Sequence, residues 1–366
     1  MQRRRLMGAT PQATKQALLC GYYGMGNGGD EALLATLLQM LPDSVKPLVL
    51  SGDPDQTRRR YGVTAIPRKS GLDILNGLSR SDAFIWGGGS LMQDATSAAN
   101  PLYYGGLMGL AQGMGLKTVA WGQGIGPLGR SLSHWLTRRT FRRCSAISVR
   151  DGKSGKWLSR QGMDQFILAP DPVWALKASP VTETASLPSP RIAVVLRQHS
   201  TLTSQRLAAI AQGLNRLQLA TQASILLVPF QPVVDRPIAD RIARSLSGSY
   251  RIVQIENPAR LKGLFQQVNW TLAMRLHGVI MAAAEGSRCF ALSYDPKVLV
   301  LAEELGLPVW DLTGDRSDLA MPEDGEALGR LWLEDFLGNQ GLSSAKIQSY
   351  CDRSQMHQEV LHQVLT

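Results

Sequence analysis

The chain has 366 residues, enough for about two domains, and its 44% apolar and 19% charged content calls for packed cores and excludes disorder by composition. Its 36 glycines follow no G-x-y period, which excludes collagen, and no apolar run reaches the roughly 18 to 20 residues that span a bilayer. A net charge of +10, from 39 Lys+Arg against 29 Asp+Glu, points to an anionic partner such as nucleic acid, a membrane surface or a phosphorylated substrate. The basic excess is local. Residues 130–160 hold nine Lys+Arg and one acid, Asp151, whereas 303–335 hold ten acids and two arginines. Cys20, Cys144, Cys289 and Cys351 are scattered without a CxxC pair, which argues against a zinc site or disulfide framework and fits a reducing cytosol. The opening Met1-Gln2-Arg3-Arg4-Arg5 lacks the apolar stretch of a secretory leader.

In chain order, apolar β-type runs alternate with helical ones. Strands are expected over 16–23, 47–51, 83–86, 118–121 and 146–149, with helices over 30–41, 102–114 and 131–143. The Pro- and Ser-rich stretch before residue 191 reads as a linker. The alternation then restarts, with strands over 192–196, 225–229, 251–255, 271–274 and 289–293 and helices over 202–219, 238–245 and from about 278. A polar helix is expected over 343–366. The pattern predicts an α/β protein of two Rossmann-like domains, 12–178 and 191–342, joined by a linker at 179–190. Their parallel sheets would face a central cleft, where ligands collect in such folds.

Three glycine-rich loops each follow a strand. Gly24, Gly26 and Gly29 in GYYGMGNGGDE fit a GxGxxG pattern, and Asp53 ends the next strand, so a nicotinamide cofactor must be weighed. Asp30 and Glu31 oppose it, because two carboxylates in the first helical turn complement the helix dipole and repel a diphosphate. Neutral sugar hydroxyls suit Gly26, Asn27 and Asp30 better, and Asp30 as a plain helix cap stays open. In WGGGSLMQD, Gly88, Gly89, Ser90, Gln93 and Asp94 offer close backbone approach and polar groups, as does Gln123 in WGQGIGP. Over 131–143, Arg138, Arg139, Arg142 and Arg143 share an arc with Trp135, while Leu132, Leu136, Phe141 and Cys144 take the rest. Such a face either contacts anionic lipid headgroups or is merely solvated. No nucleic-acid module or stacking pattern accompanies it. Arg150 ends a buried strand in SVRD and suits an anion or a local pair with Asp151. In MRLHG, Arg275 and His277 would point the same way on an extended segment, and Gly278 would then turn the chain into a helix. Lys297 in SYDPK falls at the same sheet edge. No metal-ligand spacing is present.

GYYGMGNGGDEALL, GGGSLMQDATS, GQGIGP, SVRD, MRLHG and SYDPKV, in this order from about residue 18 to 301, resemble the polysaccharide pyruvyl transferases, CsaB type. The resemblance implies a GT-B-like fold with a C-terminal helix, 343–366, crossing back to the N-terminal domain. It implies transfer of the pyruvyl group of phosphoenolpyruvate to two hydroxyls of a sugar, forming a cyclic ketal. The sugar would be an N-acetylmannosamine of a lipid-linked cell-wall precursor, whose ketal serves S-layer anchoring. Arg150, Arg275, Leu276, His277 and Lys297 stand at the family's phosphoenolpyruvate positions. His277 is the candidate acid/base, with Asp30 or Asp94 acting on the acceptor. Gly26, Asn27, Asp30, Gly88, Gly89, Ser90, Gln93 and Gln123 would hold the acceptor, lipid-linked or nucleotide-linked. Phosphoenolpyruvate is a co-substrate, and no cofactor, metal or nucleic acid is expected. The place would be the cytoplasm, with peripheral contact at the inner membrane face through Trp135, Arg138, Arg139, Arg142 and Arg143. A GT-B glycosyltransferase using a nucleotide sugar, or a non-catalytic glycan- or membrane-binding protein, stay open as alternatives.

Overall fold

The computed structural model describes residues 15–366 apart from Thr96, Ala98 and Asn339, so Met1-Gln2-Arg3-Arg4-Arg5 and residues 12–14 of the expected first domain lie outside the described residues. The chain begins β1 (Lys15–Cys20), α1 (Gly28–Met40), β2 (Val45–Ser51), α2 (Pro54–Tyr61), β3 (Thr64–Pro67), α3 (Gly71–Ser79), β4 (Ala83–Trp86), α4 (Ala99–Gly113), β5 (Lys117–Gln123), α5 (Ser131–Phe141), β6 (Ala146–Val149), α6 (Gly152–Arg160) and β7 (Ile167–Leu168). It continues β8 (Arg191–Val195), α7 (Ser204–Thr221), β9 (Ser224–Leu227), α8 (Pro232–Ala243), β10 (Tyr250–Ile252), α9 (Pro258–Leu264), β11 (Trp270–Ala273), α10 (Leu276–Ala284), β12 (Arg288–Ser293), α11 (Pro296–Leu305) and β13 (Val309–Asp311). Three helices close it: α12 (Gly325–Gly338), α13 (Ser344–Gln355) and α14 (His357–Leu365). Packing divides the chain into two units. The first takes the chain through Gly21, then Met40–Ile167 and His357–Thr366; the second takes Tyr22–Gln39 and Leu168–Met356.

The first unit holds a seven-stranded sheet in the order β3-β2-β1-β4-β5-β6-β7. Its central pairs are parallel, with Leu18 opposite Phe84 and Ile85 opposite Val119. Every residue of β4 and β6 is buried, as a parallel sheet covered on both faces requires. Short polar caps start the helices: Ser70 accepts from Asp73 N–H at α3, and Asp151 from Ser154 N–H at α6. The helix expected over 131–143 ends at Phe141, and its buried face is Ser133, Thr137, Thr140 and Phe141. Leu132 therefore lies exposed on the Trp135 side. The final helix belongs here too. His357 is fully buried, its Nδ1 2.8 Å from Ser148 Oγ, and Trp121 Nε1 donates to its carbonyl.

The second unit holds a six-stranded sheet, β10-β9-β8-β11-β12-β13, with Trp270 opposite Ile192 and Arg288 in parallel register. An aromatic cluster of Trp270, Phe290, Trp310 and Trp332 fills one face. The polar helix expected over 343–366 is two helices broken at Met356, because Ser354 is buried in the second unit and His357 in the first. The stretch at 179–190 lies along the second unit rather than hanging free: Ser179 N–H donates to Ala259 O, Arg260 pairs with Glu183, and Val181 and Leu187 are buried. α1 also packs here, its first amide, Gly28 N–H, donating to Phe230 O at 2.7 Å.

One irregular segment anchors this unit. Between β7 and the 179–190 stretch, Pro172–Ala175 forms a 3-10 turn whose carbonyls have no ladder partners. The buried ammonium of Lys262, on α9, donates to Val173 O, Trp174 O and Leu176 O at 3.2, 2.9 and 2.7 Å, and lies 3.5 Å from Glu285. Burial holds its pKa below the usual lysine value, with Glu285 opposing. Removing it leaves three carbonyls and a carboxylate unsatisfied, so Lys262→Met is expected to cost about 3 kcal/mol in urea unfolding. An unchanged urea midpoint would contradict this role.

Candidate active site

In the second unit β8, β11 and β12 are neighbouring parallel strands, so the residues that follow them gather at one sheet edge. They are Arg197, then Arg275-Leu276-His277, then Tyr294-Asp295-Pro296-Lys297. The extended Arg275–His277 segment expected from sequence is absent. α10 already starts at Leu276, so His277 is its second residue and Arg275 its N-cap. The 100° turn per residue sends the two side chains apart.

Arg275 faces Asp235 of α8. Its Nε donates to Oδ2 at 2.9 Å and its Nη2 to Oδ1 at 2.7 Å, with both side chains nearly fully buried. The fork expected to meet a substrate anion is thus occupied by a carboxylate, and the pair ties the end of β11 to α8. His277 instead faces Asp171. Its buried Nε2 has no hydrogen-bond partner and lies 3.5 Å from Asp171 Oδ2, while Asp171 Oδ1 accepts from Val173 N–H at 3.0 Å. Asp171 is held in turn by the Lys262-bonded turn and by Ser354 Oγ, which donates to its carbonyl.

α1 supplies the other wall around His277. A Cβ on Gly29 would lie 2.3 Å from His277 Nδ1 and 2.9 Å from Cγ, so only glycine admits the ring there. Asn27 Oδ1 accepts from Gly29 N–H, and Glu31, itself buried, accepts from Gly24 N–H at 2.8 Å. Gly26 is exposed in this loop, and Asp30 is half-buried in the first turn. Gly26, Asn27 and Asp30 therefore share the second unit with His277.

Lys297 sits in the first turn of α11, 3.3 Å from Asp295, whose carboxylate also caps the helix. Beside it, Arg197 Nη1 donates to Tyr294 Oη at 2.7 Å, with its guanidinium 4.9 Å from the ring centroid; its buried Nε has no hydrogen-bond partner. His199 packs on the same ring. Burial and the Arg197 charge push the His199 pKa down, against the opposing pull of Asp295.

In the first unit the loops after β4 and β5 zip together through Gly124 N–H to Gly89 O at 2.9 Å. Gly88 and Gly89 are buried. Gln123 is fully buried and its amide donates to Gly87 O and Trp121 O, so it shapes the loops from within rather than offering an open amide. Ser90 and Arg150 do come together: Arg150 Nη2 donates to Ser90 Oγ at 3.1 Å, and a Cβ on Gly124 would crowd both. Gln93 is half-buried in the same loop. Asp94 is a staple, not an open base. Desolvation raises its pKa, but hydrogen bonds from Gly129 N–H, Ser133 and Arg130 N–H and the Arg130 charge together hold it below the usual carboxylate range. On α5, Arg138 and Arg139 are exposed and Arg139 lies over Trp135; Arg142 and Arg143 follow the helix end.

Asp171, Arg197 and His357 escaped the sequence reading. A carboxylate flanked by prolines in Pro170-Asp171-Pro172 and an arginine placed directly after a buried strand are signals that could have found the first two.

Solved structures share this architecture. A UDP-GlcNAc 2-epimerase from Methanocaldococcus jannaschii superposes with a TM-score of 0.62 at 11% identity, over 95% of this chain and 99% of that one. One from Neisseria meningitidis bound to UDP-GlcNAc gives 0.58 at 12%, over 95% and 100%. A glycosyltransferase from Rickettsia africae gives 0.51 at 12%, over 97% and 95%. The fold is accordingly of the GT-B class, two parallel-sheet Rossmann-like halves. No curated protein matches the chain. The family model described as polysaccharide pyruvyl transferase matches residues 27–296, about three quarters of the sequence, and the chain belongs to that family. No helix among the described residues is long and apolar enough to cross a membrane.

Two outcomes are expected. Gly29→Ala must displace either α1 or the His277 ring, and should lower turnover about 100-fold with an unfolding loss of roughly 1–3 kcal/mol; wild-type turnover would contradict the close approach. His199, with its folded pKa depressed, binds a proton more readily once unfolded, so stability falls as pH drops from about 6.5 toward that lower value. His199→Gln should flatten this fall in urea titrations at pH 7.5 and 5.5.

Proposed function

We propose that the chain moves the pyruvyl group of phosphoenolpyruvate onto two hydroxyls of a glycan sugar, forming a cyclic ketal and releasing phosphate. The observation that carries this reading is the Asp171–His277 pair beside Gly29, within a chain of the polysaccharide pyruvyl transferase family. The finer acceptor assignment is an N-acetylmannosamine of a lipid-linked cell-wall precursor, met at the inner membrane face through Trp135 and the α5 arginines.

The chemistry needs one proton moved twice. Protonation of the methylene carbon leaves an oxocarbenium-like centre at C2. A sugar hydroxyl oxygen bonds to C2, the C2–O bond to phosphate breaks, and the second hydroxyl closes the ring. Of the two hydroxyl protons, one replaces the proton taken up by carbon and the other leaves on phosphate. In this reading Asp171 faces His277 Nε2 and fixes the tautomer, leaving Nδ1 to exchange the proton. Asp171 is thus a positioning residue, and Arg275 is another, since its pair with Asp235 sets the start of α10. Lys297, Arg197 and the unpaired amides at the α10 start provide positive charge for the trianionic donor. Asp30, in the first turn of α1, is left to orient an acceptor hydroxyl.

Phosphate release from phosphoenolpyruvate with N-acetylmannosaminyl acceptors tests the reading. His277→Gln is expected to lose at least 1,000-fold in kcat. Asp171→Asn should lose 10- to 100-fold and shift the acidic limb of the pH profile, with phosphoenolpyruvate binding kept. Saturation by a UDP-sugar with no phosphate released from phosphoenolpyruvate would sink it.

A further inference from the structure

The first unit has a cavity that pyruvyl transfer does not use. Ile125, Gly126, Pro127 and Leu128, the loop after β5, face α6 across a space of about 400 Å³, within the range of small-ligand sites. Lys153, Lys156 and Arg160 line it at i, i+3 and i+7 of α6, so one helix face presents three cations. His134 joins them, its Nε2 2.9 Å from Leu128 O. The remaining wall is apolar, with Trp157, Ile125 and Leu128. The nearby carboxylates are turned elsewhere: Asp151 accepts from Ser154 N–H and Oγ, and Asp94 from the Gly129 and Arg130 amides. The cavity begins one residue beyond Gly124, which abuts Ser90 and Arg150.

Three cations above an aromatic and aliphatic floor match one ligand chemistry, a phosphoester with an apolar alcohol. Lysines serve as point charges for phosphate oxygens, the arginine adds a fork, and the floor removes apolar carbon from water. A bare inorganic anion would leave the floor unused.

We propose that this cavity binds the diphosphate ester of an apolar, prenyl-type alcohol. The proposal rests on the pyruvyl-transfer reading only for naming that ester as the carrier of the acceptor sugar. The binding itself requires neither phosphoenolpyruvate nor turnover. With the diphosphate held by α6 and the chain passing Ile125, an attached sugar would extend toward Ser90 and Gly124 of the same unit.

Calorimetric titration of geranyl diphosphate into the full chain, without phosphoenolpyruvate, tests it against inorganic pyrophosphate and UDP. One saturable site is expected, at least tenfold tighter for geranyl diphosphate than for either comparison ligand, and weakening as salt rises. The variant K153Q/K156Q/R160Q, altered only at exposed positions, should lose tenfold or more. The charge-matched K46Q/K69Q/R80Q, exposed elsewhere on the same unit, should bind as wild type. The proposal fails if geranyl diphosphate does not saturate, if UDP or pyrophosphate binds as tightly, or if both triple variants weaken alike. Loss of phosphate release with this binding intact would overturn pyruvyl transfer alone, so the two failures are distinguishable.

Discussion

The second unit depends on a turn that cannot satisfy itself. Five carbonyls between Asp171 and Leu176 are buried outside any sheet ladder, and buried backbone polar groups must find partners. They find them on three helices: Lys262 Nζ from α9, Gln39 Nε2 from α1, and Ser354 Oγ with Cys351 Sγ from α13. A buried ammonium is costly alone, yet three carbonyls and Glu285 surround this one. The result is rigidity where chemistry needs it. Asp171 starts the same turn, and its carboxylate faces His277 without freedom to drift.

The same bonds explain why α1 packs with the second unit although β1 precedes it in the first. Gln39 near its end bonds to Ala175 O, Gly28 at its start bonds to Phe230 O, and Gly29 rests against His277. The glycine-rich loop after β1 is therefore a histidine-approach device, with Glu31 bracing it from below. Its likeness to a dinucleotide fingerprint comes from the shared need for close backbone approach, not from a shared ligand. The first unit solves a different problem. Its two glycine-rich loops bond to each other, Gln123 fills the space beneath, and Ser90 and Arg150 are left at the rim.

Much of this was legible in the sequence. Fully apolar runs such as Ala-Phe-Ile-Trp at 83–86 can only be strands buried on both faces, and the alternation with helices fixes a parallel α/β plan. The short edge strands β3, β7 and β13 were not legible, because two to four residues carry no periodic signal. His277, Ser90 and Arg150 stood out through their settings after buried strands. Arg275 stood out equally, but its partner Asp235 lies 40 residues away on another helix, and no local pattern announces that pair. Asp171 and Lys262 were invisible for the same reason: each gains its role from groups about 90 or more residues distant.

The sequence by itself determined the two Rossmann-like halves, the family and the glycine-lined loop positions, because strand burial, helix periodicity and motif order are local properties of the chain. Tertiary structure alone decided which charges are open. It closed Arg275 onto Asp235, turned Asp94 into a staple, set Asp171 against His277, and gathered Lys153, Lys156 and Arg160 around a cavity free of facing carboxylates. A charged side chain is defined by its neighbours in space, and only folding at long range chooses those neighbours.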